Sequence, residues 1–275
     1  MITFLDTTDS QNALQSLLFM FLIVGFAMVA VVFLTCFLLA SRAIRPIEQA
    51  WQKQRCFVAD ASHELKTPLT VITSNYDALM DNRQETIESQ QMWLDYMKSG
   101  TDRMAKLIDD LLLLARSESA DLKVARAPFD ISAAVEEAMC PFDALVSKKA
   151  ITVTTDIAPG IIGETDKTLI LQVFTIIYDN AVKYTNAHGD ITVALKKQRQ
   201  QLVCTVENSG AGIPRADLPR IFDRFYRVDR SRSSKTGGHG LGLSIARTIV
   251  EQLGGKISAG SNHGRTVFTM IWTLL

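Results

Sequence analysis

From Leu17 to Ala40 the chain runs for 24 residues without a charged side chain, LLFMFLIVGFAMVAVVFLTCFLLA. At about 1.5 Å per residue a helix of that length reaches roughly 36 Å, enough to cross a hydrocarbon layer of about 30 Å with some tilt. The pattern predicts a membrane-spanning helix. A cleaved leader fits poorly, because the apolar run is too long and no Lys or Arg precedes it. Asp6 and Asp9 are the charges before the run, whereas Arg42, Arg45, Lys53 and Arg55 follow it. That asymmetry places the N-terminus outside and the long C-terminal part in the cytoplasm, as a single-pass protein of the plasma membrane.

Beyond Pro46 the apolar positions change rhythm. Ile47, Trp51, Val58, Ala61, Leu65, Ile72, Tyr76 and Leu79 fit a seam of alternating steps of three and four, with Gln54 and Pro68 filling the remaining places imperfectly. After the polar break DNRQETIESQ, the residues Trp93, Met97, Met104, Ile108, Leu111 and Ala115 repeat it. Two helices joined by a turn make a hairpin, and one hairpin seldom buries such a seam alone. A homodimeric four-helix bundle is expected. His63 lies between Ala61 and Leu65, so at about 100° per residue it points away from the seam.

From Phe129 short alternating runs (ITVTTDI, DITVAL, LVCTVENS, TVFTMIW) mix with helical stretches (SAAVEEAM, KTLILQVFTIIYDNAVKY, LSIARTIVEQLGG). This mixture predicts an α/β sandwich with helices on one sheet face. SESADLKVARAP, polar and ended by Pro128, is the connector. The expected organisation is an extracellular segment 1–16, a transmembrane helix 17–40, a juxtamembrane helix and helical hairpin 41–118, a linker 119–128 and a compact α/β domain 129–275.

Composition narrows the function classes. Lys+Arg and Asp+Glu are equal at 29 each, so no global charge recruits nucleic acid. Cys36, Cys56, Cys140 and Cys204 have no metal-ligand spacing and are expected to be reduced packing residues.

Three stretches of the α/β domain suit a nucleotide. In IIYDNAVKYT, Asn180 and Lys183 share a helix face, an amide oxygen suits Mg²⁺, and an ammonium suits phosphate. A solvated polar face would look similar. In ENSGAGIP, Gly210 and Gly212 allow a tight turn and close approach to a planar ring, as an ordinary strand-to-loop turn also would. In KTGGHGLGLSIARTIVEQLGG, Gly237, Gly238, Gly240 and Gly242 lead into an amphipathic helix whose N-terminus offers amide donors to phosphate. A dinucleotide fingerprint is spoiled at position 243, and no P-loop is present. Between them, IFDRFYRVDRSRSSK combines Phe222, Phe225 and Tyr226 with Arg224, Arg227, Arg230, Arg232 and Lys235. It reads as a lid over phosphates, with a solvated basic loop as the plainer alternative.

In this order the stretches resemble a membrane sensor histidine kinase of two-component signal transduction systems, from about Arg45 to the C-terminus. FVADASHELKTPLT resembles the phosphoacceptor box, DNAVKYT the asparagine box, NSGAGIP the first glycine box, IFDRFYRVD the phenylalanine box and GGHGLGLSIA the second glycine box. The resemblance implies that His63 takes the γ-phosphate of ATP, with Glu64 as base or orienter and Thr67 positioning water for the reverse, dephosphorylating task. Pro68 is expected to bend the helix just past that site. The resemblance further implies an ATP and Mg²⁺ site formed by Asn180, Lys183, Tyr184, Asn208, Gly210, Gly212, Ile213, Phe222, Phe225, Arg227, Gly238, Gly240, Leu241, Gly242 and Thr266, with Asn180 as the metal ligand. A response regulator aspartate would receive the phosphoryl group.

Two positions depart from that pattern. Asn208 stands where the family usually has an aspartate that accepts from the adenine amino group. Ile176 stands where a second asparagine is often found one turn before Asn180. These departures leave open a catalytically weak ATP-binding membrane scaffold for a response regulator or partner kinase. A third reading, another ATPase of the same fold, such as a chaperone or repair protein, is disfavoured by the apolar span and the His63 box. With about sixteen residues before the span, either a separate sensory partner or the membrane segment reads the signal, or an N-terminal part is missing.

Overall fold

The computed structural model describes residues 8–118, 124–228 and 238–273. Two compact units result, residues 1–59 and 60–275. Helix α1, Thr8–Asp81, contains the apolar run, and every side chain from Leu17 to Ala40 is exposed. This one described helix is long and apolar enough to cross a membrane. Pro46 and Pro68 both lie within α1, which continues through them.

Within the second unit, α2 (Gln91–Glu118) returns alongside the end of α1. Gly100 explains the close approach. A Cβ there would lie 2.9 Å from Ile72 Cγ1 and 3.3 Å from the Pro68 carbonyl, so only a residue without one fits against α1. Pro68 is correspondingly buried and Ala61, Leu65, Ile72 and Leu79 are half-buried, whereas the seam residues Ile47, Trp51, Val58 and Tyr76 are exposed. The second-helix seam holds at Trp93, Met97, Met104 and Leu111, which are half-buried, and is corrected at its other two places. Leu107 and Leu114 are 0% and 1% exposed, whereas Ile108 is 44% exposed and Ala115 is exposed. Four consecutive leucines, Leu111 to Leu114, gave no periodic cue to the buried face.

The α/β part begins with β1 (Ala127–Asp130), followed by α3 (Ile131–Met139), a 3₁₀ turn (Cys140–Phe142) and α4 (Asp143–Lys148). Then come β2 (Thr152–Ile157), β3 (Ile162–Thr165), α5 (Lys167–Tyr184), β4 (Asp190–Gln198) and β5 (Gln201–Ser209). After the glycine stretch follow α6 (Gly242–Gln252), β6 (Lys256–Asn262) and β7 (Arg265–Thr273). The main sheet has the order β2-β4-β5-β7-β6, parallel between β2 and β4 and antiparallel elsewhere. β1 and β3 form a separate antiparallel pair.

Alternation decides which sheet face is covered. Ile191, Val193 and Leu195 of β4, Leu202, Cys204 and Val206 of β5, and Phe268, Met270 and Trp272 of β7 are all buried. Opposite them, α5 contributes Val173, Phe174, Ile177, Tyr178 and Ala181, and α6 contributes Ile245, Ile249 and Val250. Period two on the strands meets a stripe of period 3.6 on the helices, and that match makes one core. The expected helices-on-one-face sandwich is what forms.

Capping holds α5 at both ends. Asp166 accepts from Leu169 N at 3.1 Å and from Ala125 N at 2.9 Å. At the other end Lys149 Nζ donates to the carbonyls of Val182, Lys183 and Thr185 at 2.7, 2.9 and 3.1 Å, and burial lowers its pKa.

Cys204 is enclosed between sheet and helices, and burial pushes its thiol up to about 12. In the folded chain Cys204 is expected to resist a thiol reagent that modifies the exposed Cys56 and Cys140, and to react on denaturation. Mass mapping of the labelled cysteines reads this out, and rapid labelling of native Cys204 would contradict the packing.

Candidate functional site

His63 stands exposed on α1, and Thr67, one turn on, is exposed beside it. The Thr67 hydroxyl donates to the His63 carbonyl at 3.3 Å. Both line a shallow open groove along α1 with Lys66, Thr70, Val71, Ser74 and Asn75. Glu64 is half-buried and reaches in another direction, because the next residue on a helix is turned by about 100°.

The face of α5 carrying Asn180 and Lys183 forms as expected. Asn180 Nδ2 donates to the Ile176 carbonyl at 2.8 Å, which leaves Oδ1 as an acceptor. Lys183 Nζ is held by Asp179 at 2.5 Å, so its charge is local but already paired. Tyr184 is 55% exposed at the end of the helix. Ile176 lies on the same face and touches the start of α6: a Cβ on Gly242 would sit 3.2 Å from its Cγ2.

Asn208, the penultimate residue of β5, is 4% exposed and donates through Nδ2 to the Ser209 carbonyl at 3.1 Å. That bond fixes the amide and leaves Oδ1 as its acceptor. Thr266 is the cross-strand partner of Asn208 and bonds Ser261 Oγ at 3.2 Å. Ser261 Oγ in turn accepts from Ile213 N at 2.8 Å. Gly210 donates to the Gly264 carbonyl at 2.8 Å, and a Cβ on it would lie 2.6 Å from the Tyr184 carbonyl. Gly212 occupies the left-handed region at φ +74°. One connected loop therefore rests on the C-terminal end of α5.

The phenylalanine stretch and the second glycine stretch meet. Phe222 and Phe225 are half-buried, Phe225 at φ +58°. The Arg227 guanidinium donates to the Gly238 carbonyl. Tyr226 donates to Asp217 at 2.6 Å while Arg220 lies 4.4 Å over its ring. Gly240, at φ +74°, is pressed against this stretch: a Cβ would lie 2.8 Å from Phe225 C and 2.9 Å from the Tyr226 carbonyl. Leu241 is buried and Ser244 caps back onto its carbonyl at 2.7 Å. Arg230, Arg232, Lys235 and Gly237, expected in the lid and glycine run, lie outside the described residues.

The connection that sequence reasoning missed is His239. Its Nδ1 lies 3.1 Å from Glu64 Oε2, 175 positions apart in sequence, with the imidazole side chain 11% exposed. Its presence within the glycine run was the available signal. Asp110 of α2 shares this neighbourhood. Burial raises its carboxyl, and the charges of Lys106, His239 and Lys183 pull it back down. α6 also packs on α2. The residues brought together are thus Glu64 of the hairpin and His239 of the loop, with His63 one position away. Among the described residues no cluster of three or more His, Cys, Asp or Glu is placed to hold a metal.

The chain thus pairs a helical hairpin that exposes a histidine with a sandwich whose glycine loop leads into a helix. Residues 53–120 match the His Kinase A (phospho-acceptor) domain, and residues 165–274 match the histidine kinase-, DNA gyrase B- and HSP90-like ATPase family. Sensor histidine kinase WalK of Bacillus subtilis is 34% identical over 229 residues, covering 82% of this chain and 37% of that protein. Phosphate regulon sensor protein PhoR of Pseudomonas aeruginosa is 33% identical over 228 residues, covering 83% of this chain and 52% of PhoR. The solved histidine kinase AdeS of Acinetobacter baumannii shares the fold, with a TM-score of 0.65 at 22% identity, covering 77% of this chain and 98% of that one. Histidine kinase ThkA, solved in complex with response regulator protein TrrA, has a TM-score of 0.65 at 23% identity and covers 80% of this chain and 61% of that one. The chain belongs to the two-component sensor histidine kinases. It spans 37% and 52% of the length of the two curated relatives.

Replacing Gly240 with alanine is expected to destabilise the α/β part by on the order of 1–3 kcal/mol, from a strained φ and a backbone collision. Gly238→Ala, where a Cβ meets nothing within 4 Å, is expected to leave stability unchanged. Thermal unfolding compares them; equal melting temperatures would contradict the packing of the two stretches.

Proposed function

We propose that the chain autophosphorylates His63 from Mg-ATP and passes the phosphoryl group to an aspartate of a response regulator. The observation that carries this reading is an exposed imidazole one residue from the carboxylate that contacts the glycine loop. An exposed ring nitrogen has an unhindered lone pair, and neutral imidazole is nucleophilic near pH 7. The glycine loop opens on the N-terminal end of α6, where backbone donors and the helix dipole favour phosphate. Asn208 Oδ1 and Thr266 would face the adenine edge, and Tyr184 and Ile213 its ring.

For Mg²⁺ the fit is partial but real. Asn180 keeps an amide oxygen free, whereas the apolar Ile176 offers no ligand, so Asn180 and the phosphates would hold the ion. When bound, Mg²⁺ supplies charge neutralisation at the phosphate oxygens. Lys183, held by Asp179, would add positive charge at the same helix face.

The groove beside His63 and Thr67 is where a receiver domain would dock, both to accept the phosphoryl group and to lose it again with Thr67 positioning water. Val58, Leu69, Tyr76, Ile108 and Leu112 remain exposed on the hairpin, and a second copy would cover them in a homodimeric bundle. The exposed apolar run 17–40 would anchor the protein in the plasma membrane, catalytic part in the cytoplasm, with a separate sensory partner a natural source of signal. Incubation of the full chain in detergent with γ-labelled ATP and Mg²⁺ is expected to give acid-labile, alkali-stable label that His63→Gln abolishes. Label that survives that substitution would place the acceptor elsewhere.

Ile176 and Asn208 favour a second reading, a scaffold that binds ATP weakly. A neutral amide accepts less strongly than a carboxylate, by on the order of 1 kcal/mol. Asn208→Asp is therefore expected to tighten ATP about fivefold in a nucleotide titration. Unchanged affinity would remove the charge of this side chain from the account.

A further inference from the structure

His239 is the ring that joins the glycine loop to the acceptor helix, and the join is made inside one chain. Its Nδ1 faces Glu64 Oε2 at 3.1 Å, and its Nε2 is buried without a partner among the described residues. The imidazole side chain is 11% exposed and that of Glu64 is 40% exposed. A nearly enclosed imidazole whose polar contact goes to the other structural element is a docking contact rather than a solvated side chain. The contact is supported from α2, where Asp110 feels the charges of both His239 and Lys183, and where α6 packs.

Glu64 has a second oxygen. A carboxylate accepts on both, and Oε1 has no bond among the described residues. Oε2 holds the loop. The loop so held leads through Gly240 and Leu241 into the N-terminus of α6, the end of the domain suited to phosphate.

We propose that His239 is a positioning residue, which through Glu64 seats the nucleotide loop on the acceptor helix of its own chain, so that phosphoryl transfer to His63 is an intrachain step. This rests on the kinase reading above. In that step a ring-nitrogen lone pair of His63 forms the N–P bond. The bond from the γ-phosphorus to the bridging oxygen breaks, ADP leaves with that electron pair, and the proton on the other ring nitrogen passes to solvent at the exposed imidazole. Holding donor and acceptor together makes the reaction effectively unimolecular, and loosening that hold slows transfer without changing nucleotide affinity.

The test uses the full chain in detergent with γ-labelled ATP and Mg²⁺. His239→Ala is expected to lower the labelling rate at saturating ATP at least tenfold with KM for ATP within twofold. His239→Asn, whose amide nitrogen stands where Nδ1 does and can still donate to Glu64, is expected to recover most of it. A second arm coexpresses the wild-type chain with a differently tagged chain carrying His63→Gln and Asn180→Ala, and isolates the mixed pair through both tags. Intrachain transfer predicts label on the wild-type chain at its full per-chain rate. Absence of label there while wild-type homodimers are labelled overturns the proposal and leaves the kinase reading standing. An unchanged rate in His239→Ala, or a loss that appears in KM alone, also overturns it. Absence of label in the wild-type protein itself overturns both.

Discussion

A carboxylate on one helix and an imidazole in a glycine loop, 3.1 Å apart, tie the two halves of the C-terminal unit together. The packing of α6 on α2 also joins the hairpin to the sandwich, but the Glu64–His239 pair is the polar contact that sets the glycine loop one residue from the exposed His63. The contact pairs Nδ1 with a carboxylate in an enclosed setting where an unpaired polar atom is penalised, as Nε2 of the same ring is. Asp110 shows the expense of the neighbourhood: its carboxyl is raised by burial even with Lys106, His239 and Lys183 around it.

The scaffold behind this contact is ordinary packing used to hold loops. α5 is fastened at its start by Asp166 and at its end by Lys149, whose ammonium gathers three carbonyls. On that fixed helix rest Gly210, against the Tyr184 carbonyl, and Gly242, against Ile176. Ile176 thus contributes an apolar wall where an amide would have contributed a ligand. Asn208, anchored by Ser209, keeps an acceptor without a charge. Both departures reduce polarity, and Asn208 keeps the shape of the residue it replaces.

Much of this was legible in the sequence because it is local. The α5 span KTLILQVFTIIYDNAVKY matches the helix residue for residue, since a cap, a 3.6-residue stripe and a β-conformation Thr185 mark it. The strands β4, β5 and β7 announce themselves by alternation. β6, KISAGSN, does not, because small and polar residues carry almost no hydrophobic signal and its place at the sheet edge asks for little. The β1–β3 pair was missed because each strand has four residues. In α2, the leucine run hid the phase of the seam, and only Gly100 against Pro68 and Ile72 reveals the contact face. The Glu64–His239 contact had no local signature, since a separation of 175 residues leaves no periodicity to read. The site residues named in advance were those that lie inside short motifs; their joining is a tertiary fact.

The most direct measurement places cysteines at 64 and 239, with Cys36, Cys56 and Cys140 replaced by serine, and treats the full chain with a short bis-maleimide. A linked product that migrates as a single chain on a denaturing gel, with a 64–239 peptide pair in its mass spectrum, is the predicted result. No link between these positions, or a link found only between two chains, would contradict the docking of the loop on its own helix.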